Sequence, residues 1–254
     1  MILDKFSLNG KVALVTGASR GLGQGIALGL AEAGADIAAV SRGACEETGR
    51  QVKALGRRFL PLPCDLAEAS VADLNGLVER TVQELGRIDI LVNNAGINIR
   101  HPAVEFPEND WETVLHVNMK CVMFLSQAAA RYFLEHGGGK IINVASALSF
   151  QGGILVPAYT ASKHAVLGLT REFANEWSSK NINVNAIAPG YMLTDLNEAL
   201  VNDPLRAPAI LSRIPADRWG SPEDLKGAAV FLASDASSYC HGSVVVVDGA
   251  WLTR

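Results

Sequence analysis

The chain has 254 residues, of which 49% are hydrophobic and 19% charged, and its formal net charge is −4. A chain of this length and composition can bury a sizeable core, so we expect residues 1–254 to form one domain. The acidic balance and the lack of any basic cluster argue against a nucleic-acid or membrane-surface partner, and no apolar run approaches the ~18 residues that span a bilayer.

Apolar runs of strand length alternate with helical patterns along the whole chain. We predict strands at 11–16, 36–41, 58–63, 89–92, 139–145, 182–188 and 243–247. Helices are predicted between them at 22–33, 67–85, 108–135, 158–178 and 222–233. Such alternation is typical of an α/β fold, a doubly wound parallel sheet with helices on both faces. Ligands bind such a sheet at the carboxyl ends of its strands, so function is expected there.

The first predicted strand runs into a glycine-rich turn. Lys11–Thr16 is apolar and β-prone, and Gly17-Ala-Ser-Arg-Gly21-Leu-Gly23 follows directly, before a helical pattern. A strand, a glycine turn and a helix N-terminus together point backbone N–H groups at the diphosphate of a dinucleotide. Glycines alone are weak evidence because turns are rich in them, but their position after a strand makes the signal strong.

The end of the second predicted strand bears on the choice of dinucleotide. Val40-Ser41-Arg42 has no acidic residue to accept hydrogen bonds from ribose hydroxyls, as NAD sites commonly do. Arg42 can instead hold a 2′-phosphate through charge-assisted hydrogen bonds, which favours NADP. The alternative is that Arg42 is a solvated arginine at a strand end.

Ser146, Tyr159 and Lys163 form a constellation suited to carbonyl and alcohol chemistry. On a helix over 158–178, Tyr159 and Lys163 lie one turn apart and share a face. Tyrosine titrates near pH ~10, and a neighbouring ammonium is expected to lower that pKa so that the phenolate can act as a base. Ser146 can hydrogen-bond the same substrate oxygen. The alternative is an ordinary amphipathic helix with a surface lysine.

Segment 191–218 is interrupted by Pro204, Pro208 and Pro215 and lies between the sixth strand and the last helix. We interpret it as a substrate lid, because long connections at the site edge of such sheets commonly close over ligands. A variable surface insertion is the alternative.

Two further sequence features concern chemistry and location. The four cysteines are scattered without the paired spacing of metal sites, so we expect no metal and assign them no chemistry. The segment Met1–Lys5 lacks the apolar core of a secretory signal, which predicts a cytoplasmic protein.

Motifs along the whole chain resemble the short-chain dehydrogenase/reductase family in order and spacing. They are TGASRGLG at 16–23, Asp65-Leu66, NNAG at 93–96, Asn118, Ser146, Tyr159 with Lys163, and Pro189-Gly190. The resemblance implies a Rossmann fold of about seven strands and an NAD(P)-dependent oxidoreductase acting on CH–OH groups. It also implies a catalytic set of Asn118, Ser146, Tyr159 and Lys163, in which Asn118 bends its helix and holds a water that links Lys163 to solvent.

The same resemblance implies the residues that contact the cofactor. They are Gly17, Ser19, Arg20, Gly21, Leu22, Gly23, Ser41, Arg42, Asp65, Leu66, Asn93, Ala95, Gly96, Tyr159, Lys163, Pro189, Gly190, Met192 and Thr194. Arg20, in the glycine loop, is expected to add a second cation beside a 2′-phosphate.

A narrower resemblance is to sugar-acid dehydrogenases within that family, gluconate dehydrogenases among them. It rests on Phe150–Gly153, Asn175–Trp177, Asn181–Tyr191, Arg213–Ala216 and Arg218–Gly220. It implies a sugar-acid substrate from pectin-derived uronate breakdown and a homotetramer. Such enzymes are usually NAD-linked, so Ser41-Arg42 departs from their pattern and leaves NAD and NADP both open.

A sugar acid requires a cation for its carboxylate. The loop after NNAG faces the nicotinamide pocket in this family, and Arg100 there can hold a carboxylate with two hydrogen bonds. The expected substrate contacts are Arg100, Ser146, Gln151 and Tyr159. The alternative for Arg100 is a surface arginine, and His101 and His164 are given no catalytic role.

Two other functions remain open. A reductase for acyl-carrier-protein thioesters shares the glycine loop and the catalytic set, although it would need basic surface for its acidic carrier and this chain is acidic. A catalytically silent dinucleotide sensor is the alternative of another class, because a fold alone does not fix function. The complete catalytic set argues against the sensor.

Overall fold

The computed structural model describes residues 1–194 and 198–253. Its strands form one sheet in the order β3-β2-β1-β4-β5-β6-β7, and every neighbouring pair is parallel. The strands are β1 Val12–Thr16, β2 Asp36–Ser41, β3 Phe59–Pro63, β4 Ile90–Asn93, β5 Gly139–Val144, β6 Ile182–Pro189 and β7 Val244–Val247. The predicted doubly wound α/β sheet is confirmed.

Helices cover both faces of the sheet. They are α1 Gly21–Glu32, α2 Glu46–Ala54, α3 Val71–Leu85, α4 Glu108–Leu115, α5 Cys121–Glu135, α6 Pro157–Trp177, α7 Glu198–Val201, α8 Arg206–Leu211 and α9 Glu223–Ala233. One apolar cluster packs α1 and α9 on one face, and another packs α3, α5 and α6 on the other. The inner strands are buried on both faces, which explains why they read as continuous apolar runs.

Two helices differ from the sequence-based expectation. The helix predicted from residue 67 begins at Val71, because Ser70 caps it: the Ser70 Oγ accepts the Asp73 N–H, and the Asp73 carboxylate accepts the Ser70 N–H. Asp65 meanwhile accepts the Ala67 N–H, which holds 65–67 in a turn. Helix α2 was not among the predicted helices.

The sheet reverses its winding between β1 and β4. The chain adds β2 and β3 on one side of β1 and then returns to place β4 on the other side. Side chains join the two loops that leave this crevice. The Thr16 Oγ1 accepts the N–H groups of Asn94 and Ala95, each at 3.0 Å, and the Asn94 Nδ2 donates to the Thr16 carbonyl at 2.8 Å. Such a reversal is where open α/β sheets bind ligands.

Segment 191–218 contains α7 and α8, and its residues 195–197 lie outside the described part of the chain. Leu200, Ile210 and Ile214 pack with Trp251 in a small apolar cluster, so this segment rests on the C-terminal end of the chain. Within 1–194 and 198–253, no helix is long and apolar enough to cross a membrane. The same residues contain no cluster of His, Cys, Asp and Glu that could hold a metal ion.

Candidate active site

The glycine-rich turn between β1 and α1 forms a close-fitting cradle. Gly17 and Gly21 have positive φ angles of 68° and 57°, which favour glycine. A Cβ on Gly23 would lie 2.2 Å from the Gly17 carbonyl oxygen, so only glycine fits there. Helix α1 begins at Gly21 without a side-chain cap, which leaves its first N–H groups facing the crevice. These features fit the diphosphate of a dinucleotide.

The two residues at the end of β2, Ser41 and Arg42, differ in whether their side chains are free to contact a ligand. Arg42 is exposed and makes no hydrogen bond or ion pair with the residues that the structure describes. The Ser41 hydroxyl is buried, donates to the Gly43 carbonyl and contacts the Cys45 Sγ at 3.0 Å. Arg42 therefore remains available to an anionic ligand, whereas the Ser41 side chain shapes the turn.

The side chain of Asn93, predicted to contact the cofactor, is occupied by contacts within the protein. Its side chain is buried, and its Nδ2 donates to the Ser126 Oγ at 3.0 Å and to the Asn143 Oδ1 at 2.9 Å. A contact between Asn93 and a cofactor would therefore use the backbone.

Helix α6 brings Tyr159 and Lys163 together as the sequence predicts. The Lys163 Nζ lies 5.6 Å from the centroid of the Tyr159 ring and donates to the Val144 carbonyl at the end of β5, at 2.7 Å. Ser146 follows β5 and caps a short 3₁₀ turn by accepting the Leu148 N–H at 3.1 Å. Its side chain is also within hydrogen-bonding reach of the Tyr159 hydroxyl. The three side chains surround one point at the sheet edge.

Burial determines the titration of this pair. It raises the pKa of Tyr159, against the opposing effects of the Ser146 hydrogen bond and of the Arg100 charge. The expected lowering of the tyrosine pKa is not found, because burial outweighs the two effects that favour the phenolate. Burial also lowers the pKa of Lys163 to about 8, since only 4% of this residue is exposed.

Asn118 lies in a π-helical turn, His116–Lys120, between α4 and α5. The helix is therefore irregular at Asn118, while the bend predicted there stays a prediction. The Asn118 Oδ1 accepts the Ile97 N–H at 2.9 Å, and its Nδ2 donates to the Ile97 carbonyl at 2.9 Å and to the Ser162 Oγ at 3.1 Å. One amide thus holds the loop after β4 against α6. Its role in holding a water stays a prediction.

A cleft lies in front of Tyr159 and Ser146. Its polar lining includes Asn98 and Arg100 from the loop after β4, Tyr191 after β6, and Arg206 from α8. Arg100 is close enough to act on the charges of both Tyr159 and Tyr191. Gln151, expected to contact the substrate, does not line this cleft.

Two neighbouring side chains, Arg218 and His101, already have partners. The Arg218 guanidinium donates two hydrogen bonds to the Asp224 carboxylate, at 2.7 and 2.8 Å. The His101 Nε2 lies 2.8 Å from the Asp110 Oδ2. Asn98, Tyr191 and Arg206 were not predicted. Asn98 closely follows the NNAG motif and Tyr191 directly follows Pro189-Gly190, so these motifs could have indicated them. No sequence motif adjoins Arg206.

Replacing Lys163 with methionine is expected to raise the free energy of unfolding at pH 7 by about 2 kcal/mol. At about 1.4 kcal/mol per pKa unit, burying the ammonium costs the folded state roughly 3 kcal/mol. The variant avoids this cost but loses the hydrogen bond to the Val144 carbonyl, which lowers its free energy of unfolding by about 1 kcal/mol. Urea unfolding at pH 7 measures the difference between the two proteins.

The pH dependence of stability provides the control for this variant. The folded-state pKa of Lys163, about 8, lies below the ordinary value of 10.5. The unfolded chain therefore binds more protons between these values, and wild-type stability should rise with pH through that window. The methionine variant should lack this component. A variant that is less stable at pH 7, or that keeps the full rise, would contradict the assignment of a buried ammonium.

Comparison with known proteins places this geometry among dehydrogenases. A sequence model of the family described as short chain dehydrogenase matches residues 11–205. The 2-dehydro-3-deoxy-D-gluconate 5-dehydrogenase of Escherichia coli (strain K12) is 58% identical over 255 residues, covering 100% of both chains.

Two solved structures are similar along their whole length. One, from Agrobacterium tumefaciens, is described as a 2-deoxy-D-gluconate 3-dehydrogenase with bound NADP. It is 51% identical, with a TM-score of 0.91, over 99% of this chain and 100% of that one. The other is a gluconate 5-dehydrogenase from Burkholderia cenocepacia in complex with NADP and tartrate. It is 39% identical, with a TM-score of 0.94, over 100% of both chains.

Proposed function

The chain belongs to the short chain dehydrogenase family, and from that membership we propose that it reversibly oxidises a secondary hydroxyl of a sugar acid to a ketone. It is an NAD(P)-dependent oxidoreductase acting on CH–OH groups. The proposed activity is that of a 2-dehydro-3-deoxy-D-gluconate 5-dehydrogenase. The observation that carries this proposal is the full-length identity of 58% to an enzyme of that name, together with arginines in a cleft in front of Tyr159.

The proposed mechanism assigns one step to each side chain. Tyr159, as the phenolate, takes the proton of the substrate hydroxyl, and Ser146 hydrogen-bonds the same oxygen where charge develops. The Ser146 hydrogen bond and the Arg100 charge favour the phenolate against the effect of burial, and the Lys163 ammonium lies 5.6 Å from the centroid of the tyrosine ring. Asn118 keeps the loop after β4 in place against α6. Bound NAD(P) supplies the hydride acceptor, or the donor in the reverse direction.

The cofactor would lie on the glycine cradle, with its diphosphate at the start of α1 and its adenosine ribose beside Arg42. The exposed Arg42 and the absence of an acidic residue after β2 support acceptance of NADP. The A. tumefaciens and B. cenocepacia relatives were both crystallised with NADP. The resemblance to NAD-linked sugar-acid enzymes favours NAD instead, so we propose that both are used and that Arg42 sets their ratio.

Replacing Arg42 with alanine is expected to weaken NADP binding far more than NAD binding. A charge-assisted contact to phosphate contributes about 1.5–3 kcal/mol, which corresponds to roughly 10- to 150-fold in Kd. Titrating each cofactor into the wild type and the variant measures both constants. The exposed Arg131, on α5, provides a matched control in Arg131→Ala. Equal losses for the two cofactors would show that Arg42 does not read the 2′-phosphate.

Assembly and cellular role are further parts of the proposal. We propose a cytoplasmic homotetramer that acts in the breakdown of pectin-derived uronates. Exposed apolar side chains near the sheet edge support association of copies: Tyr239 is 97% exposed, and Val246 of the edge strand β7 is 42% exposed. Sedimentation velocity measures the assembly, and a monomer at micromolar concentration would contradict it.

A coupled screen tests the activity itself. Purified protein is assayed with NAD and NADP against 2-dehydro-3-deoxy-D-gluconate, gluconate, neutral polyols and an acyl thioester. Turnover of the first acid above the others supports the proposal, whereas preference for gluconate identifies a gluconate 5-dehydrogenase. Reduction of the thioester alone would identify an acyl-carrier-protein reductase. Cofactor binding without any turnover would identify a sensor.

A further inference from the structure

Two guanidinium groups from different parts of the chain line the same cleft. Arg100 comes from the loop after β4, and Arg206 comes from α8 in segment 191–218. Of the described residues that line this cleft, none is acidic. The cleft therefore presents two positive charges and no described carboxylate in its lining. Such a site favours an anionic ligand.

Arg206 is half-buried, yet its guanidinium forms no hydrogen bond or ion pair with the described residues. The nearby Asp203 carboxylate attracts Arg206 through its charge but does not bond its guanidinium, because the Asp203 Oδ1 accepts the backbone N–H groups of Leu205 and Arg206 at 2.9 Å each. Arg218, by contrast, is held by Asp224. Partial burial of an unpaired charge costs free energy unless a ligand compensates it.

The charges of both arginines act on Tyr191, which lines the same cleft. Burial raises the pKa of the Tyr191 hydroxyl, while the charges of Arg206, Arg213 and Arg100 lower it. Tyr159 is affected by Arg100 but not by Arg206. Arg100 thus acts on both tyrosines of the cleft, whereas Arg206 acts on Tyr191. Two aromatic neighbours fix the Tyr191 ring, with centroids 5.8 Å away for Trp219 and 4.6 Å for Trp251.

We propose that Arg206 is a second substrate-binding residue, which holds the carboxylate of the sugar acid together with Arg100 beside the Tyr191 hydroxyl. This inference rests on the proposed function. A carboxylate has two oxygens and can accept hydrogen bonds from two guanidinium groups at once. Because α8 and the loop after β4 are separate segments, a shared carboxylate would join them across the cleft.

The test compares Arg206→Ala with wild type on a sugar acid and on a neutral polyol of similar length. For the acid, KM is expected to rise about 10- to 100-fold, since truncating one partner of a partly desolvated charge pair costs at least about 1.4 kcal/mol. The neutral substrate should be affected less than about threefold. Arg206→Lys should recover part of the loss, because the charge returns without the planar fork.

Arg213 provides the matched control. It also acts on the charge of Tyr191, but it is exposed, stacks on the Trp251 ring at 4.0 Å and does not line the cleft. Arg213→Gln keeps most of its stem over the ring and should leave the KM for the acid within about twofold. An unchanged KM for the cofactor shows that a variant keeps the fold. If Arg206→Ala does not fold, the same comparison of acid and polyol is made with Arg206→Lys.

The outcomes separate the two proposals. A wild type that turns over no sugar acid overturns the proposed function. A wild type that does so, with an unchanged KM in Arg206→Ala or an equal change for acid and polyol, overturns the role of Arg206 alone. A rise confined to the acid, in Arg206→Ala and not in Arg213→Gln, establishes it.

Discussion

Replacing Tyr159 with phenylalanine is expected to lower kcat by about 10²–10⁴-fold, because positioned general acids and bases contribute that much. The change removes one hydroxyl from a site where the Ser146 side chain is its hydrogen-bonding neighbour. It leaves the ring beside the Lys163 ammonium and almost all of the packed volume. Cofactor affinity should therefore stay within about threefold of wild type. Steady-state kinetics and cofactor titration measure the two quantities.

A tyrosine outside the site provides the control for this variant. Tyr132, on α5, stacks on the His136 ring directly after that helix and does not line the cleft, so Tyr132→Phe should keep full activity. If Tyr159→Phe retained a rate within about threefold of wild type, another group would have to be the base. Parallel loss of activity and of cofactor binding would indicate a structural role for the hydroxyl.

Arg100→Ala is expected to raise the KM for sugar acids strongly while hardly changing activity on a neutral polyol. Truncating one partner of a buried or partly buried charge pair costs roughly 2–5 kcal/mol, which corresponds to tens- to thousands-fold. Arg100→Lys should recover only part of the affinity, because an ammonium cannot reproduce the two-pronged guanidinium contact. Kinetics with matched acid and polyol substrates separate charge recognition from a general defect.

An equal effect of Arg100→Ala on acid and neutral substrates would make Arg100 a structural residue. The carboxylate would then have to bind elsewhere in the cleft. His101 and Arg218 are poor candidates, because Asp110 and Asp224 already engage them. Arg206 would remain. If both arginines hold one carboxylate, the double variant should lose less affinity than the two single losses predict together.

The sequence was sufficient to predict the sheet and the positions of its ligand-binding loops. The inner strands are buried apolar runs, so their length and composition identify them, and the parallel order places Gly17, Ser146 and Pro189 at one edge. The predicted start of α3 was wrong because the Ser70 and Asp73 capping box competes with the helical pattern upstream. That signal is local and is present in the sequence.

Other features depend on tertiary contacts that no local pattern encodes. The sequence predicted a lowered pKa for Tyr159, but burial in the folded chain raises it, and the Lys163 ammonium is directed at Val144. Arg206 was not predicted because α8 is far from the catalytic motifs along the chain and reaches the cleft only through the fold. Sequence spacing identifies residues that lie on the same helix or strand. The pKa of Tyr159 and the position of Arg206 depend instead on how separate helices, strands and loops pack together.

The hydrogen bonds of Thr16 to the loop after β4 limit which residues of this fold can be substituted during evolution. They join the strand that leads into the glycine-rich turn to the loop that begins at Asn94, and Asn118 joins that loop to the helix of Tyr159. Because these segments are joined by hydrogen bonds, we expect substitutions of Thr16 and Asn118 to be poorly tolerated. Arg206 lies on a separate short helix, so if it binds the substrate carboxylate as proposed, mutations there would change substrate choice without disturbing these hydrogen bonds. Relatives that act on different sugar acids are the evolutionary outcome expected of such a division.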